Sequence, residues 1–195
     1  MNTKIKYFAL GLSALLFISA QALKDIKIKN QVFEVNYSQT LEQPLELVYR
    51  STNRVTNVNR GSMDFWVDPK IKTSDGKDYE KNVYDKGHLA PAATFSDNMD
   101  NLKTTFSYLN CALQNQYLNR GVWRMLEIQE RDLAKKYEVK VKIVLDFNGK
   151  CEVLTSGATV PVGFFKYITF NKTTLKYYFG NEKPVSPNPE HYLLK

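Results

Sequence analysis

Only one long stretch of this chain spaces its apolar residues with the period of a helix. Leu118, Val122, Met125, Leu126 and Leu133 fall on one stripe of a helix expected over 118–137, with polar ends. Elsewhere the alternation is that of half-buried strands. It runs over 31–37 and 45–50 before the helix; behind it 139–147, 151–155 and 164–170 are further strand candidates, with 176–179 as a fourth. A short strand-like piece runs through 84–89, and 104–109 reads as another. Residues 51–81 are polar and turn-rich, with Asp68-Pro69 and Asp75-Gly76 as turn signals. Residues 97–103 form a loop or open a helix, and the tail from Pro184 is extended. Strands outnumber helices, so the expected class is α+β around a mostly antiparallel sheet.

No repeat, low-complexity tract or Pro/Gly/Ser-rich linker divides the chain, but its N-terminus reads differently from the rest. Lys4 and Lys6 precede an apolar run over 7–20, and Ala20-Gln21-Ala22 places small residues at the −3 and −1 positions. That is the pattern of a secretory signal peptide over 1–22. The run falls short of the about 20 apolar residues that a membrane span needs, and no later segment is longer. Residues 23–195 are then one domain, secreted or periplasmic, with no membrane association after cleavage. Its formal net charge of +7 falls by two, to about +5, without Lys4 and Lys6, which suits a polyanionic partner without requiring one. Cys111 and Cys151 would sit in an oxidising compartment. Their spacing fits no structural zinc site, and whether they pair or stay separate buried thiols stays open.

There are two histidines in the sequence, so histidine chemistry has few places to occur. His191 lies in the Pro-rich tail, where a solvated or packing role is expected. His88 stands at a strand end beside Gly87, between charged residues, and alone would be read as structural. Thirty-one residues on, Asn119, Trp123 and Glu127 follow at intervals of four, a stripe beside the apolar helix face. Asn119 and Glu127 would lie about 12 Å apart along a regular helix, too far to share one ion directly. A single amide oxygen at Asn119 with several waters suits magnesium, and Glu127 could hold one of those waters. A helix N-cap is the competing role for Asn119.

Asp85-Lys86-Gly87-His88-Leu89-Ala90-Pro91-Ala92 resembles the signature of the DNA/RNA non-specific endonucleases, the His-Me finger or ββα-metal nucleases, which reads Asp-Arg-Gly-His-Leu-Ala-Pro-Ala. The resemblance continues through Thr105-Phe106-Ser107-Tyr108-Leu109-Asn110, Gln114, Leu118-Asn119 with Trp123, Leu126 and Glu127, and the stretch Val160-Pro161-Val162-Gly163-Phe164-Phe165-Lys166. Several motifs in order over roughly residues 44–182 carry more weight than one short motif. The resemblance implies that His88 takes a proton from the attacking water, that Asn119 binds a magnesium ion, and that Glu127 orients its water shell. It further implies that Lys86 neutralises the phosphate, that Asp85 fixes the local turn, and that Asn110 supports the site through hydrogen bonds. Manganese suits the same oxygen ligands.

The departures are specific. Lys86 stands in place of the family's arginine, keeping the charge and losing the planar fork. Leu113 replaces the usual proline. Arg60 is the nearest match to an upstream phosphate-binding arginine, at a slightly different spacing. Arg120 and Arg124 could contact the nucleic-acid backbone, although solvated arginines are the commoner case. The implied function is a secreted, metal-dependent endonuclease acting on DNA and RNA with little sequence preference. A catalytically weak or inactive nuclease-fold protein that binds extracellular nucleic acid is the alternative. A basic adhesin would leave His88, Asn119 and Glu127 unexplained. The sequence leaves open whether the chain forms a homodimer.

Overall fold

The structure is a computed structural model that describes residues 23–195. The expected signal segment over 1–22 lies outside the described residues. Among those described, two sheets form. The larger runs in the order β1 (Ile26–Lys29), β2 (Phe33–Ser38), β3 (Gln43–Ser51), β6 (Val139–Asp146), β7 (Gly163–Phe170) and β8 (Thr173–Gly180). Every pairing in it is antiparallel, so the expected class holds. Alternation decides which side is covered: Val139, Val141, Ile143 and Leu145 of β6 are buried, and Lys140 and Lys142 between them point outward.

The smaller sheet pairs β4 (Tyr84–His88) with β5 (Cys111–Asn115), antiparallel, with His88 opposite Cys111 and Lys86 opposite Leu113. Between them lies α1 (Met99–Thr105), capped by the Asn98 side chain, which accepts from Asn101 N. The strand expected over 104–109 is therefore absent. Its residues finish α1 and form a 3₁₀ turn over Tyr108–Asn110, and the strand follows as β5. All five β5 residues are buried, so no alternation marked it in the sequence. Beyond the bridge Val153↔Thr159, residues 151–155 form no strand, and the tail carries a 3₁₀ turn, Pro189–Tyr192.

The long helix is also interrupted. One turn, α2 (Gln116–Leu118), passes through a π-helical segment, Asn119–Trp123, into α3 (Arg124–Ala134). Gly121 adopts φ −99° and ψ −116°, outside the helical region, a kink of the kind that glycine and π-turns introduce. Leu118, Val122, Trp123 and Leu126 enter the core, whereas Met125 is exposed and Glu130 is buried. The expected apolar stripe is thus wrong at one position and incomplete at another. β4, β5 and the helix together make a ββα unit against the larger sheet. The two cysteines stay separate: Cys111 contacts the Tyr79 hydroxyl at 3.2 Å and Cys151 the Phe147 carbonyl at 3.4 Å.

Candidate active site

Gly87 lets β4 approach β5 closely. A Cβ there would meet Gln114 Oε1 at 2.6 Å and Gln114 Cβ at 2.7 Å. His88 follows at the end of β4, and the chain beyond it is held by Asn110. Leu89 N donates to Asn110 O (3.0 Å), Ala90 N donates to Asn110 Oδ1 (2.7 Å), and Asn110 Nδ2 donates to the carbonyls of Ala90 (2.9 Å) and Thr105 (2.8 Å). Asn110 is fully buried, so these bonds are made in the dry interior, where an unpaired amide would be costly.

The loop before β4 is docked beside His88 by its own ladder. Trp66 N donates to Phe106 O (2.8 Å) and Tyr108 N to Trp66 O (3.2 Å), while the Trp66 indole N–H donates to Lys103 O (3.0 Å). This brings Arg60, Asp64 and Phe65 to the site. The His88 ring lies 4.6 Å from Phe65 and 4.8 Å, edge-on, from Phe106, and the Arg60 guanidinium stands 5.2 Å over the Phe106 ring. Burial, aided by the Arg60 charge, pushes the His88 pKa down to about 3. The imidazole is neutral at pH 7. Its Nε2 is enclosed with no hydrogen-bond partner, which leaves Nδ1 as the nitrogen available to a water.

Arg60, Asp64, Phe65, Asp85, Lys86, His88, Phe106, Asn119 and Arg120 line one cleft of about 470 Å³. Asp85 does not fix a turn. It joins β4 to the helix, accepting from Asn119 Nδ2 (2.9 Å) and from Arg120 Nε (2.8 Å) and Nη2 (2.6 Å). Burial pulls its pKa up, but Arg120 and Asn119 outweigh that and hold it below the usual carboxylate value. Because a carboxylate can only accept, the Asn119 amide is oriented with Nδ2 toward Asp85, and Oδ1 is left to accept or to coordinate. Asn119 is not the helix N-cap; it closes the C-terminal end of α2 through its backbone. Asn115 is the N-cap, its Oδ1 accepting from Tyr117 N.

Lys86 Nζ contacts both oxygens of Asp64 at 2.9 Å. Burial works against the lysine charge, and Asp64 with the Tyr108 phenol outweighs it, so its pKa is raised. Asp64 in turn is held below its ordinary value, first by the Lys86 hydrogen bond. Arg124 is exposed on α3 and outside the cleft lining, so the structure does not bring it to the site. Glu127 is not among the lining residues either; it is half-buried, its pKa pushed up to about 7 chiefly by burial, with Lys166 pulling the other way. Among the described residues no three His, Cys, Asp or Glu side chains cluster as a metal cage.

Sequence reasoning missed Asp64, Phe65 and Phe106 as cleft residues. Phe106 stood in a quoted motif, and Asp64-Phe65 followed close behind Arg60, so the signal was their proximity to residues already singled out.

Several known proteins are similar to this chain. The zebrafish (Danio rerio) mitochondrial nuclease EXOG is 31% identical over 108 residues, covering 53% of this chain and 32% of the relative. Bovine (Bos taurus) mitochondrial endonuclease G is 34% identical over 83 residues (41% and 28%). The yeast (Saccharomyces cerevisiae) mitochondrial nuclease is 32% identical over 114 residues (50% and 34%). The chain therefore spans about a third of the length of these relatives. The crystal structure of the EndoG/EndoGI complex superposes with a TM-score of 0.80 at 23% identity, over 90% of this chain and 82% of that one, a likeness of fold. The relatives are named as mitochondrial nucleases and so point away from the secreted or periplasmic location expected from the N-terminus, which is corrected accordingly. A profile matching residues 18–194 completes the case: the chain belongs to the DNA/RNA non-specific endonuclease family.

Proposed function

We propose that this protein is a metal-dependent endonuclease that hydrolyses phosphodiester bonds of DNA and RNA without strong sequence preference, and that residues 23–195 are its nuclease domain. One observation carries the reading: three separate stretches of chain converge so that a neutral histidine, an amide oxygen with no hydrogen bond and three cationic side chains line a single cleft. His88 is the general base. Its Nδ1 accepts a proton from a water, the resulting hydroxide attacks phosphorus, and the bond to the leaving 3′ oxygen breaks. A histidine kept neutral to low pH is always ready to accept, although its low basicity has to be offset by activation of the water.

Asn119 fits as the single protein ligand of a divalent ion, since Asp85 fixes its amide and frees Oδ1, and an oxygen donor suits magnesium or manganese. When bound, such an ion stabilises charge on the phosphate and on the departing oxygen. Arg60 and Lys86 are the phosphate-binding cations, with Arg120 beside them, and Glu127 supports the metal's water shell. Because the cleft offers charges rather than base-reading groups, it grips the backbone that every sequence shares.

The test is gel digestion of plasmid DNA and total RNA by the purified protein in magnesium, with EDTA and His88→Ala as controls. Degradation of both substrates, lost in each control, is the expected result. Cleavage that survives in His88→Ala assigns the base elsewhere. A wild-type protein that retards nucleic acid but never cuts it under any divalent metal is a binding protein on a nuclease fold.

A further inference from the structure

The cleft holds three permanent cations, and two of them are already engaged by the protein's own carboxylates. Arg120 is locked to Asp85 by two hydrogen bonds, and Asp85 also accepts from Asn119. The Asp85 side chain is only 18% exposed, so that group is part of the framework. The second pair is built differently. Asp64 contacts Lys86 Nζ with both oxygens at 2.9 Å, yet its side chain is 71% exposed. Its only other hydrogen bond among the described residues is from the neighbouring Phe65 N (2.7 Å). It is mostly exposed, and exposed ion pairs of this kind are weak. A phosphate offers Lys86 a comparable anionic acceptor at the same place in the cleft.

We propose that Asp64 is the affinity-setting residue of the cleft: it holds Lys86 before substrate arrives, yields it to a phosphate of the nucleic acid, and so weakens binding and blunts its salt dependence. The inference rests on the nuclease reading above. Its physical content is an exchange of one anion for another on the same ammonium group. Once released, Asp64 stands close to the bound phosphate and must recruit a solution cation. That uptake offsets part of the counterion release that drives binding. Arg60, which has no carboxylate partner among the described residues, makes the first phosphate contact, and Lys86 joins after the exchange.

The experiment measures binding of a fluorescent duplex oligonucleotide in EDTA, where nothing is cut, across a series of salt concentrations. Asp64→Asn keeps the size of the side chain and an oxygen for Phe65 N while removing the charge. The expected result is binding about 3- to 10-fold tighter near 50 mM salt, with the slope of log Kd against log salt steeper by up to about 0.9. In magnesium, KM falls and kcat does not rise. Asp68→Asn, in the same loop, controls for net charge alone, and the gain from Asp64→Asn should shrink when Lys86→Gln is also present. Unchanged or weaker binding by Asp64→Asn overturns the proposal, weaker binding meaning that Asp64 props Lys86 in place. Equal gains from Asp64→Asn and Asp68→Asn overturn it too. A wild-type protein that neither binds nor cuts removes the nuclease reading itself, and the proposal with it.

Discussion

Replacing Lys166 by methionine tests the buried ion pair that joins the larger sheet to α3. Lys166, on β7, and Glu130, on α3, are both fully buried and paired at 2.7 Å. The Tyr49 hydroxyl donates to the other Glu130 oxygen, and the Lys166 ammonium lies 4.2 Å from the centre of the Trp123 ring. Methionine fills most of the lysine volume, so the loss is electrostatic: Glu130 keeps Tyr49 but loses its counter-ion in a dry site. Breaking one side of a buried pair costs about 3–5 kcal/mol, out of the roughly 5–15 kcal/mol that holds a domain together. In urea, with a slope of about 2 kcal/mol per molar, the midpoint should fall by about 1.5–2.5 M. Adding Glu130→Gln should recover a good part of that loss, because the amide needs no counter-ion and can still accept from Tyr49. The change reaches the site as well. Lys166 opposes the rise of the Glu127 pKa, so its removal drives that carboxyl above its present value of about 7, and any acid limb of activity carried by Glu127 moves to higher pH. A loss below about 1 kcal/mol, or strict additivity with Glu130→Gln, would refute the reasoning.

Stability against pH should show two opposed titrations. His88, at about 3 folded against 6.5 in its ordinary state, favours the fold above pH 6.5 and loses that contribution as pH falls toward 3. Glu127, at about 7 against 4.5, contributes below pH 4.5 and loses it as pH rises toward 7. Between pH 4.5 and 6.5 the two slopes cancel, and Glu127→Gln should uncover a fall of up to about 1.4 kcal/mol per pH unit below 6.5 in chemical denaturation; a flat profile in that variant contradicts the depressed His88 pKa. Gly87→Ala places a Cβ 2.6 Å from Gln114 Oε1, so it should cost about 1–3 kcal/mol and shift His88, read as a drop in both melting temperature and kcat; a variant with normal stability and rate would show that Gln114 yields freely. Asn119→Ala should raise the magnesium needed for half-maximal cleavage by at least about 10- to 100-fold, and an unchanged magnesium titration would remove Asn119 from the metal site.

What the sequence made legible was what depends on neighbours along the chain. The alternation in 139–147 marked β6 because one face of it meets the core and the other meets water, whereas the core face of β7 carries Lys166 and its other face Phe165 and Tyr167, so no such alternation marked that strand. The motif around His88 was legible because Gly87, His88 and Ala90 are fixed by contacts with β5 and Asn110 that this short signature encodes. Alternation failed at β5, where both faces are covered. It failed again at 104–109, where the Asn98 cap starts a helix that outweighs the strand preference of Thr and Phe. The helix over 118–137 was legible as a helix but not as a broken one, since a single Gly121 lowers helix propensity without saying how the chain will turn there.

The buried polar residues are hidden from the sequence for a deeper reason. Hydropathy assigns Glu130 and Lys166 to the surface, yet each is buried because the other is there, 36 positions away and on a different element. Asn110 is buried because it satisfies three backbone groups across the loop from residue 90 to residue 105. Such pairings are properties of the assembled fold, and no local window contains both partners. The same logic governs the cleft. Lys86 alone reads as a phosphate-binding cation and Asp64 alone as a solvated acid. Brought within 2.9 Å, they form an ion pair that neutralises both. The cleft is therefore less positive than its count of arginines and lysines suggests, with Arg60 as the cation that no carboxylate among the described residues has claimed.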